Sequence, residues 1–324
     1  MLFALVGIAF IAASCGRVAP TSPSATSQPN PNASSPADPN ATGQVVGIAS
    51  LSNGISNVVI SGGGVLNART DARGFFTLNA STSTYPLTLT HPDFVERRTA
   101  VKLPASGVHL SMIPSTFDQE AFEELAPRAT TTGLRRWTQD PSLTVLTNVV
   151  EYDGVGYTPL VTDRGIADAD LTCVLDGVKR AIAPMSDNTL TFKKVETLAL
   201  PAGTHFSIPS TPEGTIIVAV AHGLQANGRA APFTGADPTV LVRGVVWVTA
   251  DNLSLCGSTA ARVYPHELGH ALGYQHVTRE ASVMSGIDPT SALTEFDREA
   301  LRIVYQRPPG NRAPDVDPPA YVIN

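Results

Sequence analysis

The sequence predicts an α+β protein in which a small all-β sandwich precedes a mixed helix–strand domain. Three observations lead there. Residues 44–113 carry short alternating apolar runs separated by turn residues, the pattern of half-buried strands. From residue 114 onward, amphipathic helical stretches alternate with continuous apolar runs rich in β-branched residues. Gly 26 and Pro 26 in a chain of 324 residues favour turns and strands over a helical bundle.

Composition narrows the function classes. Lys+Arg number 22 against Asp+Glu 28, a net charge of −6. The pI of 5.6 speaks against a nucleic-acid partner, which would require a basic face for phosphates. Charged residues are only 15% and hydrophobic ones 43%, so the chain is no disordered polyelectrolyte. No apolar run reaches the length of an ordinary transmembrane helix.

In chain order, the first element is an address. Leu2 to Ala13 are apolar, and Ala12, Ala13 and Ser14 precede Cys15. The run has the length of a signal-peptide core and is too short to span a bilayer. Small residues before a cysteine resemble a bacterial lipoprotein cleavage box, with 1–15 as signal. The resemblance implies lipidation of Cys15 and a membrane partner through an N-terminal lipid anchor. The expected location is outside the cell at the envelope (outer membrane or cell surface), or secreted if Cys15 is not lipidated. Residues 16–43 read as a tether: six prolines from Pro20 to Pro39 lie among Ser, Thr, Asn and Ala, with nothing to bury.

In 44–113 the predicted strands are Val45–Ile48, Val58–Ile60, Gly74–Leu78 and Leu87–Thr90. The turns are Gly62–Gly64, Asp71–Gly74 and His91–Asp93. Thr70-Asp71-Ala72-Arg73-Gly74-Phe75-Phe76, followed by Tyr85-Pro86-Leu87-Thr88-Leu89, resembles the carboxypeptidase regulatory-like β-sandwich. That resemblance implies a spacer or docking module without chemistry. His91 and His109 are read as ordinary histidines.

The second domain is expected over 114–308, with 309–324 as a C-terminal tail. Thr116 to Pro127 reads as a helix, with Phe117, Ala121, Phe122 and Leu125 on one stripe. Asp168 to Ala183 reads as a second helix stopped by Pro184. Thr215–Ala221 and Val242–Thr249 read as buried strands.

The chemistry concentrates in His266-Glu267-Leu268-Gly269-His270-Ala271-Leu272-Gly273-Tyr274-Gln275-His276, which holds three of the seven histidines. On a helix, His266 and His270 share a face and can bind one ion. Gly273 allows the left-handed turn that ends the helix, after which His276 can supply a third ligand. Three protein ligands leave a coordination position open, as in catalytic zinc sites. Glu267 lies close enough to act as general base without being a ligand. The chemistry implied is hydrolysis at a zinc-polarised peptide carbonyl, with Glu267 taking a proton from water and passing it to the leaving amine.

This spacing resembles the metzincin zinc-peptidase signature, and Ser282-Val283-Met284-Ser285 resembles its methionine turn. Gly244–Val248 resembles the strand before the active-site helix in the matrixin-like branch. The resemblance spans about residues 115–308. It implies a zincin catalytic domain with a twisted mixed sheet, one catalytic Zn2+, Met284 packed under the metal, and protein or peptide substrates. Calcium, common in matrixins, finds no assignable site. Pro265 requires either that the helix starts just before it or that the helix bends there. Thr294 with Asp297 forms a capping box opening a terminal helix.

Cys173 and Cys256 form an even pair once Cys15 is set aside. In an exported setting they read as a disulfide, with two buried thiols as the alternative. His205 and His222 are not expected to bind the zinc. The functional expectation is therefore a surface-tethered zinc endopeptidase. The competing class is a surface binding or adhesion protein on a zincin scaffold, and a zinc hydrolase of non-peptide amides is a third. Intact Glu267 favours an enzyme, because a scaffold has no use for a general base.

Overall fold

The computed structural model describes residues 40–128, 131–152, 159–205, 211–251 and 253–324. The signal segment with Cys15 and most of the predicted tether lie outside the described residues.

Seven strands build the N-terminal module: β1 (Asn40–Gly47), β2 (Val59–Gly62), β3 (Leu66–Arg69), β4 (Phe75–Asn79), β5 (Thr84–His91), β6 (Phe94–Lys102) and β7 (Ala105–Met112). They form a three-stranded sheet, order β4-β1-β7, and a four-stranded sheet, order β3-β2-β5-β6. Val45, Ile60, Leu78, Leu89 and Leu110 fill the shared core. The tether boundary at residue 43 needs correction. Residues 40–43 already belong to β1, because their backbone pairs with β4 on one side and β7 on the other. Paired N–H and C=O groups outweigh the weak strand propensity of Asn40 and Ala41.

The second part is mixed α+β. Its strands are β8 (Ser142–Leu146), β9 (Asn148–Glu151), β10 (Leu160–Gly165), β11 (Lys194–Leu198), β12 (Thr215–His222), β13 (Gly228–Thr234) and β14 (Leu241–Thr249). The helices are α1 (Gln119–Leu125), α2 (Asp168–Ala181), α3 (Ser258–Ala271) and α4 (Glu295–Gln306). β12 is central and parallel to β14 on one side and to β8 and β9 on the other. β13 closes one edge, antiparallel to β14. Along β12, Ile216, Val218 and Val220 face the helices, whereas Ile217, Ala219 and Ala221 face a second core with Trp247 and Tyr152. Both faces are covered, which is why this strand reads as an unbroken apolar run.

Three helical expectations change in detail. α1 starts at Gln119, later than Thr116, because the carboxylate of Asp118 accepts the Glu120 and Ala121 N–H groups and caps it. α2 ends at Ala181, and a separate 3-10 turn at Pro184–Ser186 follows. Pro265 lies well inside α3, so the helix starts much earlier than the first of the two alternatives requires. With no N–H at Pro265, the Ala261 carbonyl loses its helical donor.

Residues 309–324 are no loose tail. Arg307, fully buried, makes two hydrogen bonds to Asp315 at 2.7 Å each and reaches Ser111 of β7 with Nη1 at 2.7 Å. Arg97 of β6 bonds Asp317 at 3.1 Å, and the Arg98 and Lys102 N–H groups donate to the Asp315 and Ile323 carbonyls. Charges this deep need partners, and the final segment supplies the carboxylates. Burial pushes the Asp315 carboxyl up, but the charge and hydrogen bonds of Arg307, with Arg97 and Arg128 nearby, together outweigh it and hold the carboxyl below its ordinary value.

Candidate metal centre

α3 follows β14 after a loop that carries Cys256, and packs against β13, β14 and α2. His266 and His270 sit one turn apart on its cleft-facing side. Gly273 has φ 105°, and the Tyr274 N–H returns to the Gly269 carbonyl at 3.0 Å, which ends the helix. A Cβ at Gly273 would also meet Leu241 at 2.8 Å. Trp137 fixes this corner by donating its indole N–H to the Ala271 carbonyl at 3.0 Å. Beyond it the chain turns and brings His276 back.

The three imidazoles converge through one nitrogen each. Nε2 of His276 lies 3.2 Å from Nε2 of His266 and 3.1 Å from Nε2 of His270. The opposite nitrogens are committed: Nδ1–H of His266 donates to the Val283 carbonyl at 2.8 Å, and that of His270 to the Tyr274 carbonyl at 2.7 Å. With their protons on Nδ1, both Nε2 atoms present lone pairs to the same point. Two acceptor nitrogens aimed at the Nε2 of a third imidazole suit a cation held between all three. Nitrogens about 2.0–2.1 Å from a tetrahedral zinc stand about 3.3–3.4 Å apart, near the spacing found. Burial lowers the His266 pKa and takes that of His270 to about 4, with the neighbouring imidazoles adding to both shifts. Both rings are therefore neutral at pH 7, the form that binds metal. The residues present fit a zinc ion.

Glu267 is 5% exposed. Burial pushes its pKa up to about 8, and its Oε2 has no hydrogen-bond partner among the described residues. The carboxylate lies against Gly228, the first residue of β13, where a Cβ would overlap it. A buried, unpartnered carboxyl beside the neutral imidazoles of His266 and His270 is costly to maintain for structure alone.

Met284 is fully buried, with its Sδ under Gly269, where any Cβ would collide with it. The segment holding it is tied down by Asp297: Oδ1 accepts the Ser282 hydroxyl at 2.6 Å, and Oδ2 accepts the Val283 N–H at 3.1 Å. Asp297 also completes the α4 capping box with Thr294.

The remaining predicted residues lie as follows. Cys173 of α2 and Cys256, just before α3, are joined by a disulfide. His222 bonds Asp251 and accepts from Arg164, and His205 pairs with Leu160 in an isolated bridge; neither joins the cluster. The cluster of His266, His270 and His276 is the one group of metal-binding spacing among the described residues.

Several contributors escape sequence reading. Gly228 and Gly286 make room for Glu267 and for the His276 ring, yet nothing in the sequence links them to the motif. Gly269 sits inside the motif, but its contact with Met284 appears only on folding. Residues 226–232 line one wall of a cleft of ≈ 600 Å³ over the imidazoles, and Gly286, Ile287 and Pro289 line the other. Ile287 is 96% exposed at its mouth.

No family model matches the chain, and no curated protein matches it in sequence. Among solved structures, it is similar to metalloproteinase-II from Bacteroides fragilis at 10% identity and a TM-score of 0.28, over 78% of this chain and 93% of that one. Sequence and fold likeness this low leave the function to the site itself.

Proposed function

We propose that the chain is a zinc-dependent endopeptidase of metzincin type, with His266, His270 and His276 holding one Zn2+ and Glu267 as general base. The observation that carries this reading is the convergence of three Nε2 atoms beside a buried, unpartnered carboxyl. When bound, zinc supplies a Lewis acid that polarises a carbonyl and acidifies water.

The chain's own residues supply the rest. Val283 and Tyr274 hold the imidazoles in the tautomer that offers Nε2. Glu267 receives a proton at Oε2 and returns it to the leaving amine. A carboxyl raised toward neutrality by burial, and lowered again by a nearby cation, is suited to both transfers. β13 pairs only with β14 among the described strands, so its other edge borders the cleft. An extended peptide can add there as a further strand, which favours peptide substrates over small amides. Pro232 interrupts the donor row at the far end of that edge.

Attachment to a cell envelope through lipidated Cys15 is part of the proposal and rests on the sequence alone. The Cys173–Cys256 disulfide is in keeping with an exported, oxidising setting. The test is cleavage of casein or a peptide library by the purified chain. Activity should vanish with a chelator and return with zinc. Glu267→Ala should lose about a hundredfold or more in kcat while zinc stays bound. Zinc bound at all three histidines without any cleavage would favour a binding protein on the same scaffold.

A further inference from the structure

His276 differs from the other two imidazoles in what holds it. Nδ1 of His266 and of His270 each donates to a backbone carbonyl, whereas Nδ1 of His276 makes no hydrogen bond among the described residues. Its ring is exposed and its residue lies in a loop, so its aim depends on the backbone on either side.

That backbone is gripped by α1, more than a hundred residues earlier in the chain. The Gln275 N–H donates to the Leu125 carbonyl at 2.8 Å. The Thr278 N–H donates to Oε2 of Glu124 at 2.6 Å, and the Thr278 hydroxyl donates to Oε1 at 2.9 Å. A third donor, the Arg279 N–H, reaches Oε2 at 3.3 Å. The Arg279 guanidinium also pairs with Glu120 at 2.8 Å and with Asp118 at 3.6 Å. Between these ties, the Val277 N–H donates to the Met284 carbonyl at 3.0 Å. The Thr278 N–H holds the Glu124 carboxyl below its ordinary range, as expected for a carboxylate receiving backbone donors.

We propose that Glu124 is a positioning residue for the third metal ligand: by fixing Thr278 it aims His276 at the other two imidazoles. This rests on the three-histidine zinc reading above. α1 then does more than pack Phe122 and Leu125 into the core. It carries the acid that takes the place of the missing hydrogen bond on the His276 ring. Outer partners of metal ligands typically matter about 10–100-fold in affinity, and Glu124 acts one step further out.

The test measures metal binding, not turnover. Zinc affinity is determined by competition with a chromophoric chelator in the parent, Glu124→Ala, Glu124→Gln and Thr278→Val chains. Cobalt is substituted in parallel to read ligand number from its visible spectrum. Glu124→Ala should bind zinc about tenfold more weakly and show a changed cobalt spectrum. Thr278→Val removes only the hydroxyl contact and should lose less. The double variant should lose no more than Glu124→Ala, because both act through one tie. Glu124→Gln and Thr278→Val keep the volume and carry the same readout if Glu124→Ala does not fold. Unchanged zinc affinity and cobalt spectrum, with only a lower melting temperature of the metal-free chain, would reduce Glu124 to a purely structural role and overturn the inference alone. A parent chain that binds no zinc would overturn the reading beneath it as well.

Discussion

The Val283 carbonyl oxygen stands 2.8 Å from Nδ1 of His266, so the residue before Met284 sets the tautomer of the first imidazole of the cluster. Val283 is in turn held by Asp297, which is 1% exposed and accepts from the Val283 N–H and the Ser282 hydroxyl. A continuous line of hydrogen bonds thus runs from the first turn of α4 to the imidazole. Replacing Asp297 by Ala leaves the buried donors of Ser282 and Val283, and the half-buried Thr294 N–H, without an acceptor. The expected loss is about 3 kcal/mol of stability, since each unsatisfied buried group costs roughly 1–3 kcal/mol. Asp297→Asn keeps one acceptor oxygen and should lose less. Denaturant unfolding measures both, and equal losses would contradict the acceptor role.

Gly269 and Met284 form a second coupled pair. A methyl group at 269 meets Met284 Sδ, and Met185 Cε lies 2.8 Å from the same point. Gly269→Ala should therefore destabilise the chain by about 1–3 kcal/mol through overpacking, despite the better helix propensity of alanine. Met284→Ala opens space and should recover part of that loss in the double variant. Thermal melts of the four chains test the coupling; strict additivity would mean that the methionine does not press on the helix.

The buried acid predicts a pH dependence for the metal-free chain. Glu267 has its pKa raised from 4.5 to about 8 by burial, so the folded state keeps a proton that the unfolded state releases. The associated stability is fully present below pH 4.5 and is lost as pH rises through about 8. A shift of that size corresponds to about 5 kcal/mol at most. Glu267→Gln cannot ionise and should gain on the parent steadily between pH 5 and 9. The histidines contribute equally to both chains, so they cancel in the difference. Parallel stability curves for the two metal-free chains across this range would refute the perturbed carboxyl.

Much of this protein was legible in one dimension because its signals are local. The apolar runs of β12 and of Gly244–Val248 in β14, the Thr294–Asp297 capping box and the four-residue spacing of His266 and His270 depend on backbone periodicity and neighbouring side chains. Gly273 belongs to the same class, since a left-handed turn favours a residue without Cβ. Helix ends were less legible: Asp118 caps α1 only where the chain happens to turn, and Pro265 sits inside α3 because packing against the sheet and α2 outweighs one missing hydrogen bond.

The sequence by itself determined which residue types could meet a metal and which helix would carry two of them. Only the tertiary structure decided that His276 swings back to within 3.2 Å of both, that Gly228 leaves room for the Glu267 carboxyl, and that Glu124 and Asp297 hydrogen-bond the two loops beside the imidazole cluster. The reason is separation along the chain. Glu124 and Thr278 stand 154 residues apart, and no spacing rule links residues whose contact exists only after the sheet has brought their elements together.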